Sequence, residues 1–204
     1  MKTIGIFIFD DAEELDFVGP YEVFTMINEV MQYLGEADGV KVILISETGE
    51  DITGNKGMRV GAHAAMTDIK SLDIICIPGG PGARAQIQNK SVIDWVAKTA
   101  KTCEWVTSIC TGSMILSKAG LTTGKRISTF WAAFDEFKAL GLDGELQPNV
   151  RYVRDGNLVT SAGVSAGIDM ALWLTGQMFS PSLARGVMRG MQYEPAPPYL
   201  ADVE

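Results

Sequence analysis

Four short stretches of this chain, residues 4–9, 40–46, 73–77 and 105–109, are dominated by apolar side chains, many of them β-branched or aromatic. None alternates strictly with polar residues. Each therefore predicts a strand buried on both faces, the kind found in parallel sheets. Between and after them, apolar residues recur at helical intervals. Residues 21–33, 92–101, 111–119, 168–179 and 183–191 predict helices, with Pro20 in the first turn of the first and Gly120 closing the third. Residues 10–16 predict an acidic loop. Residues 50–60, with Gly54, Asn55 and Gly57, predict a small hairpin, and residues 150–153 and 158–160 predict another around Asp155-Gly156-Asn157. Residues 126–129 predict one more short strand. Glu194-Pro195-Ala196-Pro197-Pro198 predicts the end of regular structure. Strands alternating with helices imply an α/β fold: a mostly parallel sheet with helices on both faces and a small β-hairpin, in one domain over residues 1–204.

Composition narrows the partners. The net charge is -8, so the surface repels phosphate backbones and anionic membranes, and neither nucleic acid nor membrane is an expected partner. No apolar run reaches the length of a membrane span or a signal peptide. Three cysteines without paired spacing argue against a disulfide framework and for a cytoplasmic setting. The single histidine, His63, has no His/Cys cluster around it, so no metal and no cofactor is expected.

Ligands of open α/β sheets bind outside the carboxyl ends of the strands. Three features fall at such ends: Asp16 after the first strand, Gly79-Gly80 after the third, and Cys110 after the fourth. Cys110 sits between a predicted strand and a predicted helix, with the small residues Ser108 and Gly112 nearby to relieve a sharp turn and a hydroxyl at Thr111 beside it. The amino end of the following helix is expected to favour its thiolate. A free cysteine is most often a small buried hydrophobe, and Cys76, inside an apolar run, fits that description; Cys103 reads as incidental. Among the acids of residues 10–16, Asp10, Asp11, Glu13 and Glu14 read as a solvated face. Asp16, between Leu15 and Phe17, reads either as a desolvated acid–base group or as a helix N-cap. Gly79 and Gly80 read as a plain turn or as backbone donors to a developing negative charge. Phe130 and Trp131 are expected in the core or on the pocket wall.

Three segments taken together, Ile77-Pro78-Gly79-Gly80, Val106-Thr107-Ser108-Ile109-Cys110-Thr111-Gly112-Ser113 and Gly120-Leu121-Thr122-Thr123-Gly124-Lys125-Arg126, resemble the PfpI-type superfamily over almost the whole chain. Glu14-Leu15-Asp16-Phe17-Val18-Gly19-Pro20, Val153-Arg154-Asp155-Gly156-Asn157-Leu158-Val159-Thr160 and Tyr193-Glu194-Pro195-Ala196-Pro197-Pro198 resemble its isocyanide (isonitrile) hydratase branch most. The resemblance implies a flavodoxin-like three-layer sandwich of the class I glutamine amidotransferase type and a homodimer. It implies Cys110 as nucleophile, Asp16 as its acidic partner, Thr111 beside the sulfur, Gly80 backbone facing the reacting group, and Ala162 and Val164 in a turn packed against the nucleophile. The chain departs from the branch at Phe130, where a histidine is common, and at Ala162, where a glycine is. It departs from protease-like relatives at Thr111, where they carry histidine, which disfavours a Cys–His dyad and a peptidase. The reaction implied is addition of water to an isocyanide through a covalent thioimidate. The alternatives are a glyoxalase or deglycase acting on 2-oxoaldehydes, and a non-enzymatic cysteine sensor of oxidants or ligands.

Overall fold

The computed structural model describes residues 1–36 and 39–194. In chain order the elements are β1 (Lys2–Phe7), α1 (Glu14–Leu34), β2 (Val40–Ser46), β3 (Ile52–Thr53), β4 (Arg59–Val60), β5 (Ala64–Ala65), β6 (Ile74–Ile77), α2 (Ala83–Gln86), α3 (Lys90–Thr99), β7 (Trp105–Ile109), α4 (Gly112–Lys118), β8 (Arg126–Ile127), α5 (Phe134–Ala139), β9 (Glu145–Leu146), β10 (Tyr152–Asp155), β11 (Leu158–Ser161), α6 (Ala166–Met178) and α7 (Pro181–Gly190). Seven strands form the main sheet in the order β10-β11-β7-β6-β1-β2-β5. Every pairing is parallel except β10 with β11, which is the expected second hairpin. The strands β3 and β4 form the small antiparallel hairpin expected from Gly54, Asn55 and Gly57.

The four apolar runs become β1, β2, β6 and β7 because helices cover both faces of the sheet. Helices α1, α6 and α7 pack together as one layer, and α2, α3 and α4 as the other. Ile4, Ile6, Phe7, Ile74, Ile75 and Ile77 have no exposed surface. Removing such side chains from water stabilises the fold by roughly 1.5–3 kcal/mol each. Glycines draw α1, α6 and the sheet together: a Cβ on Gly19 would lie 2.9 Å from Ile168 of α6, and one on Gly167 would lie 2.9 Å from Ile109 of β7. No helix among the described residues is long and apolar enough to cross a membrane.

Two expectations need correction. Helix α1 starts at Glu14, so Pro20 lies in its interior rather than in its first turn. Proline lacks the N–H that would bond back to the Asp16 carbonyl, and the packing of Gly19 and Pro20 against α6 outweighs that loss. The short elements α2, α5, β5 and β9 were not expected, being too brief to show a period. The predicted stop at residues 194–198 lies, beyond Glu194, outside the described residues.

Candidate active site

The chain leaves β1 toward β2 on one side and returns to β6 on the other, so a crevice opens at the carboxyl ends of β1 and β6. The turns after β1, β6 and β7 meet there. They carry Asp16 in the first turn of α1, Gly79 and Gly80, and Cys110.

Cys110 adopts a left-handed backbone, φ 55°. For a residue with a Cβ this costs roughly 1–2 kcal/mol. The surroundings hold it there. Its N–H is shared between the carbonyls of Ser161 and Ala162 at 3.2 Å each, and its carbonyl accepts from the hydroxyls of Ser113 at 3.2 Å and Thr129 at 3.0 Å. The turn closes only because two glycines let backbones touch. A Cβ on Gly112 would lie 2.1 Å from the Ile77 oxygen, and one on Gly79 would lie 2.4 Å from the Thr111 nitrogen.

Asp16 has no exposed surface. The Gly79 N–H donates to its Oδ2 at 2.9 Å, while its Oδ1 is buried with no conventional partner. The Cys110 side chain acts on the carboxylate without making a geometric hydrogen bond to it. Burial pushes the Asp16 carboxyl up to about 7; the charge of Glu13 adds to the rise, and the Gly79 N–H, the Cys110 thiol and the Lys56 ammonium oppose it. Asp16 is not the N-cap of α1, since that position is Glu13.

The sulfur differs from expectation. Burial, followed by the neighbouring Asp16 charge, pushes the Cys110 thiol up to about 12, against the opposing pull of the Thr111 amide and hydroxyl and the Val164 amide. The helix end does help the thiolate, but desolvation next to an acid outweighs it. Cys110 therefore rests as a thiol with a proton acceptor beside it.

Gly79 and Gly80 do not offer free donors. The Gly79 N–H is held by Asp16, and the Gly80 N–H donates to Thr111 Oγ1 at 3.0 Å. The Thr111 hydroxyl donates in turn to the Gly80 carbonyl at 3.1 Å, which locks the two turns together. The amides that reach the sulfur are those of Thr111 and Val164. Val164 is itself left-handed at φ 52°. Its turn, residues 162–164, packs beside the nucleophile, and Gly163 admits the Phe130 ring: a Cβ there would lie 2.3 Å from it.

Cys110, Thr111, Gly80, Val164 and Phe130 line a cavity of about 420 Å³, together with Glu13, Asn55, Pro81 and Arg84. Asp16 is absent from its lining and sits behind the sulfur. A larger concavity between α1 and α7, about 1040 Å³, contains none of these residues. Trp131, expected in the core or pocket, is 77% exposed. His63 is exposed, and its Nδ1 accepts from the Leu44 N–H at 3.0 Å. Among the described residues, no group of three or more His, Cys, Asp or Glu is arranged to hold a metal ion.

Five side chains at or beside the cavity carry weight that their sequence context does not show. Glu13 and Glu14 are not solvated: Glu14 is buried, and the side chain of Glu13 is 14% exposed and ion-paired with Lys56. Asn55 and Lys56 come from the β3–β4 hairpin. Arg84, on α2, donates from Nη1 to the Gly80 carbonyl at 3.0 Å and from Nε to Glu136 at 2.9 Å. Glu13 and Arg84 thus face the cavity as already-paired charges.

Residues 2–177 match the DJ-1/PfpI family. The isonitrile hydratase of Pseudomonas putida is 36% identical over 96% of this chain and 80% of its own length. The HTH-type transcriptional regulator CdhR of Pseudomonas aeruginosa is 30% identical over 72% of this chain but only 44% of its own length. Among solved structures, a ThiJ/PfpI family protein from Pseudomonas syringae superposes with a TM-score of 0.85 at 25% identity, covering 99% of this chain and 79% of that one. The protein described here belongs to the DJ-1/PfpI family.

Proposed function

We propose that this protein is an isocyanide hydratase, converting R–NC and water to R–NH–CHO through a covalent bond to Cys110. The observation that carries the reading is a strained cysteine on a cavity wall with a buried, half-partnered carboxyl group directly behind it. The similarity to the Pseudomonas putida isonitrile hydratase supports the choice of substrate.

The chemistry follows from the two protonation states. The Cys110 sulfur attacks the terminal isocyanide carbon as its proton passes to the Asp16 carboxylate. That proton then moves to the same carbon, which has gained the electron pair, to give the thioimidate R–N=CH–S. Asp16, ionised again, takes a proton from water as its oxygen adds to the carbon, and the proton goes to nitrogen. The C–S bond of the adduct then breaks, the hydroxyl proton returns to sulfur through Asp16, and the formamide leaves. One hard step becomes two easier ones, with one carboxyl alternating between base and acid. The amides of Thr111 and Val164 steady the sulfur while it carries charge.

Asp16 must start ionised. Rates should therefore fall as pH drops through about 7, the value to which burial raises this group. Formamide production from a panel of alkyl and aryl isocyanides, with Cys110→Ala as control, tests the reading; equal turnover by that variant would refute it. Methylglyoxal in the same assay separates the glyoxalase alternative. Oxidation of Cys110 without turnover of either substrate would favour a sensor, which the similarity to a transcriptional regulator keeps in view. The homodimer and the cytoplasmic location belong to the same proposal, and light scattering after size-exclusion chromatography tests the first.

A further inference from the structure

The cavity wall carries one device that the reaction scheme does not use. Glu13 precedes α1 and its carboxylate lines the cavity, three residues before Asp16. Its side chain is ion-paired with Lys56 on the β3–β4 hairpin, and the Asn55 side chain reaches the same carboxylate. The hairpin is itself pinned. The Lys56 N–H donates to Glu14 Oε1 at 2.6 Å, the Asn55 N–H to the Ala12 carbonyl at 2.8 Å, and the Asp11 N–H to the Thr53 carbonyl at 2.9 Å. One residue links this pair to the reacting acid: Gly79 accepts from the Glu13 N–H at 2.9 Å through its carbonyl, and its own N–H donates to Asp16 Oδ2. The Asp16 N–H in turn donates to the Glu13 carbonyl at 3.1 Å.

We propose that Glu13 and Lys56 are a positioning pair, a charge lever set in the cavity wall that biases the buried Asp16–Cys110 couple without touching the reacting atoms. The groups acting on Asp16 can be named by element. Glu13 comes from its own end of α1, Lys56 from the hairpin, Cys110 from the β7–α4 turn, Cys76 from β6, and the Gly79 N–H from the loop after β6. Arg84 bears on Cys110 but is held by Glu136. Of these, Glu13 and Lys56 are the formal charges, and they oppose each other: the anion makes Asp16 harder to ionise and the cation makes it easier. Neighbouring charges act on Asp16 with little screening because it has no exposed surface. Lys56 is 63% exposed, so the lever has one arm in water and is open to salt and to whatever occupies the cavity mouth.

This inference deepens the hydratase reading but is tested apart from it. The 13C carboxyl resonance of Asp16, assigned by its loss in Asp16→Asn, is titrated in the full-length protein. Glu13→Gln removes the anion and leaves the cation, so the Asp16 midpoint falls, by roughly half a pH unit. Lys56→Met does the reverse and the midpoint rises by a similar amount. The double variant falls between the two single variants. Since Lys56 is exposed, Lys56→Met keeps its fold even where Glu13→Gln does not, and its upward shift alone decides the sign. Shifts in the same direction, or a midpoint unmoved in folded Lys56→Met, overturn the proposal. The titration needs no substrate. Absence of isocyanide turnover would sink the hydratase reading and leave this result standing, and the converse holds equally.

Discussion

Cys76 lies on β6 and Cys110 just past the end of the adjacent strand β7; Asp16 bears on both, and burial pushes both thiols up to about 12. Thiol acidity therefore does not distinguish them. Position does. Cys76 lies inside β6, in register with Ile6 on β1 and Thr107 on β7, with no exposed surface. Cys110 lies just past the end of β7, in a left-handed conformation, against a cavity of about 420 Å³. The two thiols are equally reluctant to ionise, but only one can meet a substrate while an acid waits behind it. A nucleophile in this fold is made by where the strand stops and by a neighbouring proton acceptor, rather than by a low resting pKa.

The sharpest way to break the comparison is to delete each sulfur. Cys110→Ala should lower kcat by about 10³-fold or more, whereas Cys76→Ala should keep kcat within about 2-fold and register only as lost core packing. Next comes the acid. Asp16→Asn should cost about 10²-fold or more in kcat. It should also flatten the pH dependence of stability. The folded-state pKa of Asp16 lies above its unfolded value of about 3.8, so the folded chain binds the extra proton. Its contribution is present at low pH and is lost as pH rises from about 4 through about 7. Thermal melts across that window should decline in wild type and decline less in Asp16→Asn.

A third change strikes the turn that brings the acid and the elbow together. Gly79→Ala places a Cβ 2.4 Å from the Thr111 nitrogen and should destabilise by about 2 kcal/mol or more in denaturant melts. The smallest effect separates the cysteines by sign. Cys110→Gly relieves the left-handed strain and should gain about 1 kcal/mol while abolishing activity. Cys76→Gly should lose stability, since a strand interior gains nothing from glycine and forfeits a packed side chain.

Much of this was legible in the amino-acid sequence because burial on both faces leaves a local signature. Strands β1, β2, β6 and β7 are apolar in unbroken or nearly unbroken runs, and Gly112 after Cys110 marks the elbow. Elements without such signatures were missed. Helix α2 has four residues and β5 two, too few for any period. The start of α1 was hidden by Pro20, which reads as a first-turn residue and is in fact held in the interior by packing against α6. The cavity wall was illegible for a different reason. Glu13, Asn55 and Arg84 come from three separated segments that only the tertiary fold juxtaposes. The acidity of Cys110 was misjudged because a helix end can be read from sequence, whereas the depth of a sulfur beside a carboxylate cannot.

The central claim is that Cys110 bonds to the substrate carbon while Asp16 carries the proton. Rapid-quench intact-mass analysis with peptide mapping, during turnover of a small alkyl isocyanide, tests it most directly. The account predicts a mass gain equal to one isocyanide, confined to the peptide containing Cys110, with altered build-up and decay in Asp16→Asn. Formamide release with Cys110 unmodified at every time point, or an adduct on another residue, would contradict it.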